Sequence, residues 1–123
     1  MSGSRYAHLD GTALADLPTI RNYLAKAKVQ ADMAQSLWLD ACDAVDEGRE
    51  DAMLRVLQVK AACGDTALDV LQSSMRICGG AAYRKDVGVE RYFRDAQAAS
   101  VMAPTSDVLY DFIGKAVCGM DLF

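Results

Sequence analysis

Three short stretches of this 123-residue chain carry residue types that could do chemistry. In Cys78-Gly79-Gly80-Ala81-Ala82-Tyr83, a double glycine follows a long apolar-periodic segment. Lacking Cβ atoms, such a pair either ends a helix or lets backbone approach a ligand phosphate or ring. In the stretch VERYFRDA, residues 89–96, Glu90 stands four before Arg94 and Arg91 four before Asp95. That is the spacing of ion pairs on an exposed helix surface. Met102-Ala103-Pro104-Thr105-Ser106-Asp107 interrupts two helical patterns. Thr105 or Ser106 can cap the helix that follows, and Asp107 lies where negative charge favours a helix N-terminus. The only histidine, His8, is far away in sequence, and no Ser/His/Asp or Cys/His arrangement is evident. Taken alone, these residues imply a helical protein with a capped turn and a glycine-bearing turn.

The elements that must position them are helices. Pro18 suits a first helical turn, where its missing N–H does no harm. From there Ile20, Leu24, Ala27, Ala31, Ala34, Trp38, Ala41 and Val45 recur every three or four residues, and Gly48 is a natural stop. The opposite face carries Arg21, Lys28, Gln35 and Asp43. A second helix is expected over about 50–78. Its inner face reads Met53, Val56, Leu57, Lys60, Cys63, Ala67, Val70, Leu71, Ser74 and Ile77. Two helices this long on so short a turn must run antiparallel. Gly64 costs its helix about 1 kcal/mol relative to alanine, which points to close approach of another backbone. Residues 81–87 read as a loop. A third helix follows over about 88–101, with Val89, Tyr92, Phe93 and Ala96 as its buried positions. A last helix shows Val108, Leu109, Phe112, Ile113, Ala116 and Val117 at helical spacing. The class is all-α, an antiparallel helical bundle of two long helices and two short ones. Residues 1–15 read as irregular and 16–123 as the bundle.

Composition narrows the function. Apolar residues are 52% of the chain and aromatics 7%, with much alanine, which suits closely packed helices. The net charge of −4 and the lack of a basic run argue against nucleic-acid binding. No apolar run approaches the ~20 residues of a membrane span, and the N-terminus lacks signal-peptide features, so a cytoplasmic protein is expected. Cys42, Cys63, Cys78 and Cys118 form no C-x-x-C pair, so no zinc site is expected. They read as reduced thiols acting as small core residues.

The order of these pieces resembles the C-terminal domain of the acyl-CoA dehydrogenase family over nearly the whole chain. The resemblance rests on "RICGGAAYRKDVGVERYFRDA", where Gly79-Gly80, Tyr83, Glu90-Arg91 and Arg94-Asp95-Ala96 fall at the family's spacing. The segments VDEGRE, KAACGDTA and ADLPTIRNYLAKAK also match family helices. The resemblance implies an FAD-dependent oxidoreductase that removes two hydrogens across the α,β carbons of an acyl-CoA. It also implies an oligomer, with an electron-transfer flavoprotein as a possible electron acceptor. It assigns FAD contact to Gly79 and Gly80, with Arg76 nearby where many members have glutamine, and to Thr105.

Two departures matter. Ala103 stands where many relatives keep the glutamate that abstracts the α-proton, and alanine cannot do so. No catalytic residue is therefore assigned. The family's first bundle helix and its N-terminal domains have no counterpart in this chain. The resemblance then implies a segment contributing bundle packing, subunit contacts and part of an FAD site, inactive alone. A flavin-dependent monooxygenase or N-hydroxylase of the same fold is the second reading, and a catalytically silent helical assembly module the third. A bundle short of one helix exposes an apolar seam, so a homo-oligomer or a partner subunit is expected.

Overall fold

The computed structural model describes residues 14–79, 86 and 88–121. Within them the chain forms a short 3-10 turn at Leu14–Asp16 and four helices: α1 (Pro18–Glu47), α2 (Ala52–Cys78), α3 (Val89–Val101) and α4 (Ser106–Val117). No strand occurs among the described residues. The all-α bundle expected from the sequence is the architecture found. Leu14 is buried against α1, although the sequence of that stretch reads as irregular. Residues 1–13 and most of the 81–87 loop lie outside the described residues.

The helix ends follow from local chemistry. Pro18 opens α1 without wasting a donor. Gly48 ends it in the left-handed region at φ 66°, and Arg49 N donates back to Ala44 O at 2.9 Å. A side chain at Gly48 would be strained there. The turn returns directly into α2, so α1 and α2 pack antiparallel. Both α3 and α4 then pack on α2, which is the one helix touching every other.

The core is thin, and small residues make up much of it beside Leu14, Ile77 and Leu109. Ala41 and Ala44 on α1, Ala61 and Gly64 on α2 are buried, and Leu109 of α4 is the only large side chain fully buried among the described residues. Several expected core positions are not core. Ala31, Trp38 and Val45 of α1 are exposed, as are Met53 and Val56 of α2, Tyr92 of α3, and Val108 and Val117 of α4. On α1 the reason is periodic. The covered seam runs through Ile20, Ala27, Ala34 and Ala41, with Leu37 and Ala44 beside it, close to a heptad. Ala31, Trp38 and Val45 share the next stripe over, which no element among the described residues covers. With Val56 and Val59 of α2, Trp38 and Val45 instead line an open apolar groove of about 440 Å³.

The cysteines divide in the same way. Cys78 is buried and Cys63 half-buried, as expected of small core residues, but Cys42 and Cys118 are exposed; all are free thiols.

Gly64 marks where α3 crosses α2. A Cβ built there would meet the Ala99 side chain at 3.8 Å, which is ordinary van der Waals contact. The helices do approach closely, yet a methyl group has room. Gly64→Ala is therefore expected to stabilise the chain by about 1 kcal/mol through helix propensity. A thermal or urea denaturation series checks this, and destabilisation would mean the crossing cannot take a methyl.

Four charges close the α1–α2 turn. Arg49 donates to both oxygens of Asp40 (2.9 and 3.2 Å) and both of Asp51 (2.9 and 2.8 Å). Arg55 Nε lies 3.1 Å from Asp40 and 3.4 Å from Asp51. Bound in this way, the Asp51 carboxylate does not cap α2. Hydrogen bonds from Arg49 hold both carboxyls below their usual range. Their native values are depressed, so this stabilisation is complete above the unfolded carboxylate range, about pH 4. It is lost as pH falls through the native values. Arg49→Met is expected to destabilise the chain at neutral pH, with the gap to wild type closing in acid. Denaturation midpoints across pH 2–7 test the sign, and a gap that persists in acid contradicts it.

Candidate functional site

The C-terminal half of α2 and the face of α3 packed on it enclose an open groove of about 690 Å³. Arg76 and Gly79 line it, opposite Glu90, Phe93, Arg94 and Gln97. The α3 residues fall at spacings of three and four, which places them on one helix face. Met75 and Phe93 give the groove apolar surface, while Arg76 and Arg94 supply two guanidiniums against the one carboxylate of Glu90. Such a lining suits a ligand with an apolar part and an anionic part. The i,i+4 pairs of α3 thus have different surroundings. Arg91 and Asp95 form an exposed surface pair at 3.7 Å, whereas Glu90 and Arg94 face the groove.

Arg76 stands on a ridge. It also borders a second, more polar groove of about 270 Å³ between α1 and α2, with Tyr23, Lys26, Gln30 and Asp69. Its position in the last turn of α2 has a structural value of its own, because a cation complements the negative end of the helix.

Gly79 caps α2 at φ 58° and ψ −138°, a conformation open to glycine and strained for other residues. Its N–H donates to Met75 O. That amide is committed to closing the helix. Gly79 can therefore offer a ligand its carbonyl and close approach, but not a phosphate-binding N–H. Gly80 and Tyr83 lie outside the described residues.

Thr105 sits elsewhere. It is the N-cap of α4, its hydroxyl oxygen accepting from Val108 N at 3.4 Å. Of the two capping candidates, Thr105 is the one used. The oxygen is occupied as an acceptor, but the hydroxyl hydrogen remains available to donate. Ala103 is exposed in the break just before it. The break is held against α2 by Lys60, whose Nζ donates to the carbonyls of Met102 (3.1 Å) and Pro104 (2.5 Å). Lys60 and Arg76 are sixteen positions apart on one helix, which is about 24 Å at about 1.5 Å per residue. The structure therefore brings Arg76 and Gly79 together and leaves Thr105 and Ala103 at a separate place.

Sequence reasoning places Lys60 on the inner face of α2 without assigning it a partner. The signal was there, since a lysine among apolar positions needs acceptors. Loop carbonyls leave no pattern in sequence, so the partners could not be named. The Tyr110 hydroxyl, which donates to Asp65 and ties α4 to α2, has no sequence signal either, because the two side chains are 45 positions apart on different helices. That bond holds the Tyr110 hydroxyl above its usual range. Lys60→Met keeps the aliphatic stem but removes both bonds to the break. It is expected to destabilise the chain by about 1–2 kcal/mol and to speed amide exchange in the first turn of α4 more than in α1. Equal protection of α4 in the variant would show that the lysine does not hold the break.

The geometry can be set beside known proteins. The family profile described as acyl-CoA dehydrogenase, C-terminal domain, matches residues 4–118. Cyclohex-1-ene-1-carbonyl-CoA dehydrogenase of Geobacter metallireducens is 27% identical over 107 residues, covering 87% of this chain and 28% of that protein. Glutaryl-CoA dehydrogenase of Desulfococcus multivorans is 31% identical over 86 residues, covering 70% of this chain and 22% of its own length. The solved FAD complex of PigA matches with a TM-score of 0.86 and 19% identity over 95% of this chain and 30% of that one, a likeness of fold. The chain thus spans less than a third of each of these relatives. It belongs to the acyl-CoA dehydrogenase family and corresponds to part of that family's C-terminal helical domain.

Proposed function

We propose that this chain serves as a C-terminal segment of an FAD-dependent, acyl-CoA dehydrogenase-like oxidoreductase. It would contribute bundle packing, subunit contacts and a share of the flavin site. The observation that carries this reading is the α2–α3 groove, because Arg76 and Gly79, assigned to FAD by resemblance, both line it.

The groove fits part of a flavin dinucleotide. Arg76 and Arg94 can hold anionic or carbonyl oxygens, Met75 and Phe93 can cover apolar surface, and Gly79 leaves room beside them. Gly80 belongs to the same assignment. Thr105 can donate its hydroxyl hydrogen at the far end of α2. Because about 24 Å of helix separates the two places, the reading assigns them to different flavin molecules of an oligomer. Bound FAD would supply hydride acceptance in the α,β-dehydrogenation of an acyl-CoA thioester. Ala103 cannot take the α-proton at the place where many relatives keep their base. The base must come from outside these residues. Acyl-CoA as substrate, electron-transfer flavoprotein as acceptor and a cytoplasmic location belong to the same proposal. No helix among the described residues is long and apolar enough to cross a membrane.

Ala103 also supports a second reading, a flavin-dependent monooxygenase or N-hydroxylase, which needs no base in the break. A catalytically silent assembly module is the third.

The protein purified as its cellular assembly is expected to release FAD on acid denaturation. Arg76→Ala should weaken flavin retention about tenfold or more, the loss of a charge-assisted hydrogen bond. Anaerobic addition of acyl-CoA should bleach the flavin of a dehydrogenase and leave that of a monooxygenase oxidised. An assembly containing no flavin would overturn both flavoenzyme readings in favour of the silent module.

A further inference from the structure

Helix α2 grips the start of α4 at two levels. Lys60 bonds the carbonyl of Pro104, 44 positions on, and Asp65 accepts from the Tyr110 hydroxyl, 45 positions on. The near-equal offsets mean that α4 sets out alongside α2 in the same direction. Five residues of α2, about 7.5 Å of rise, separate the two grips. Between them Leu109 is buried to 1% exposure. The first turns of α4 thus have little freedom to rotate or slide on α2.

Within that grip Thr105 is held on three sides. Lys60 fixes the carbonyl of Pro104, which belongs to the peptide unit leading into Thr105. The carbonyl of Thr105 accepts from Leu109 N at 2.9 Å, and its hydroxyl oxygen accepts from Val108 N. The hydroxyl hydrogen is left to donate. Lys60 also holds Met102 O at 3.1 Å, so the residues on either side of exposed Ala103 both turn their carbonyls to α2. One lysine therefore sets the path of the whole break. Its charge does not account for its place. Among the described residues it meets carbonyls and no carboxylate, and it lies by the N-terminal end of α4, where the macrodipole disfavours a cation. Its value lies in the two bonds and in the shape they impose.

We propose that Lys60 is a positioning residue for the flavin site. By fixing the Pro104–Thr105 peptide it aims the Thr105 hydroxyl hydrogen at the flavin, and it acts only through Thr105. The inference rests on the reading above that assigns Thr105 to FAD, and adds to it a residue outside that contact.

A double-mutant cycle on the protein purified as its cellular assembly separates positioning from plain stabilisation. The readouts are the dissociation constant for FAD, measured after the cofactor is removed and returned, and the visible spectrum of the bound flavin. Thr105→Val should weaken FAD binding about fivefold, the worth of one hydrogen bond, and shift the spectrum. Lys60→Met should shift both readouts in the same direction, and Lys60→Arg, which keeps donors in reach of the carbonyls, should recover most of the loss. The double variant should bind FAD no more weakly than Thr105→Val alone, because the lysine then has nothing to aim. Thr105→Asp keeps a helix cap without the hydroxyl hydrogen, and takes the place of Thr105→Val in the cycle if that variant fails to fold. Losses that multiply in the double variant, or a Lys60→Met assembly that holds FAD as wild type does, would overturn the positioning role. Full retention in both Thr105 variants would overturn it too, while leaving the Arg76 groove to its own variant. An assembly without flavin would overturn the flavoenzyme reading and this inference together.

Discussion

Everything in this molecule hangs on the close approach of helices to α2. Alanines and one glycine line its contacts, and α1, α3 and α4 each pack on it rather than on one another as principal partners. Small residues allow short interaxial distances and dense packing, but they bury little apolar surface per residue. A core of Ala41, Ala44, Ala61 and Gly64 with Leu14, Ile77, Cys78 and Leu109 is a modest stabiliser for four helices. The polar ties gain weight in such a fold. Arg49 braces the α1–α2 turn, Lys60 the break, and Tyr110 the docking of α4.

The same economy explains why two places of possible chemistry lie apart. Helix α2 carries Arg76 in its last turn and Gly79 as its cap, with Lys60 sixteen positions before Arg76. Rigid spacing along α2 keeps the glycine turn and the α3–α4 break from meeting. Each is half of something. Among the described residues the groove has cationic and apolar walls on two sides, and the break offers a hydroxyl where Ala103 leaves no base. An arrangement of half-sites suits a chain that spans less than a third of the relatives it matches.

Helix existence and ends were legible because single residues dictate them. Pro18, Gly48, Gly79 and Thr105 act through backbone geometry or a local hydrogen bond, and these effects are written within a few positions. Burial was less legible. The apolar stripe on α1 is wider than one partner helix can cover, and periodicity does not say which edge of a broad stripe is covered. Trp38 and Val45 were read as core because they are apolar and in phase, and they are exposed because no other helix among the described residues covers them. The candidate site was legible only through the family spacing of Gly79-Gly80 and Glu90 to Ala96. The Lys60 clamp depends on loop carbonyls that carry no sequence signature, and the Gly79 amide is committed to a helix carbonyl, Met75 O, that spacing alone does not single out.

The central claim is that α2 is a locally complete keystone while α1 is completed from outside the chain. Hydrogen exchange followed by mass spectrometry at several protein concentrations addresses it directly. The account predicts that amides around Ala61 to Gly64 exchange slowest at every concentration, and that protection of α1 rises as the chain is concentrated. Protection of α1 equal to that of α2 and unchanged on dilution would contradict it.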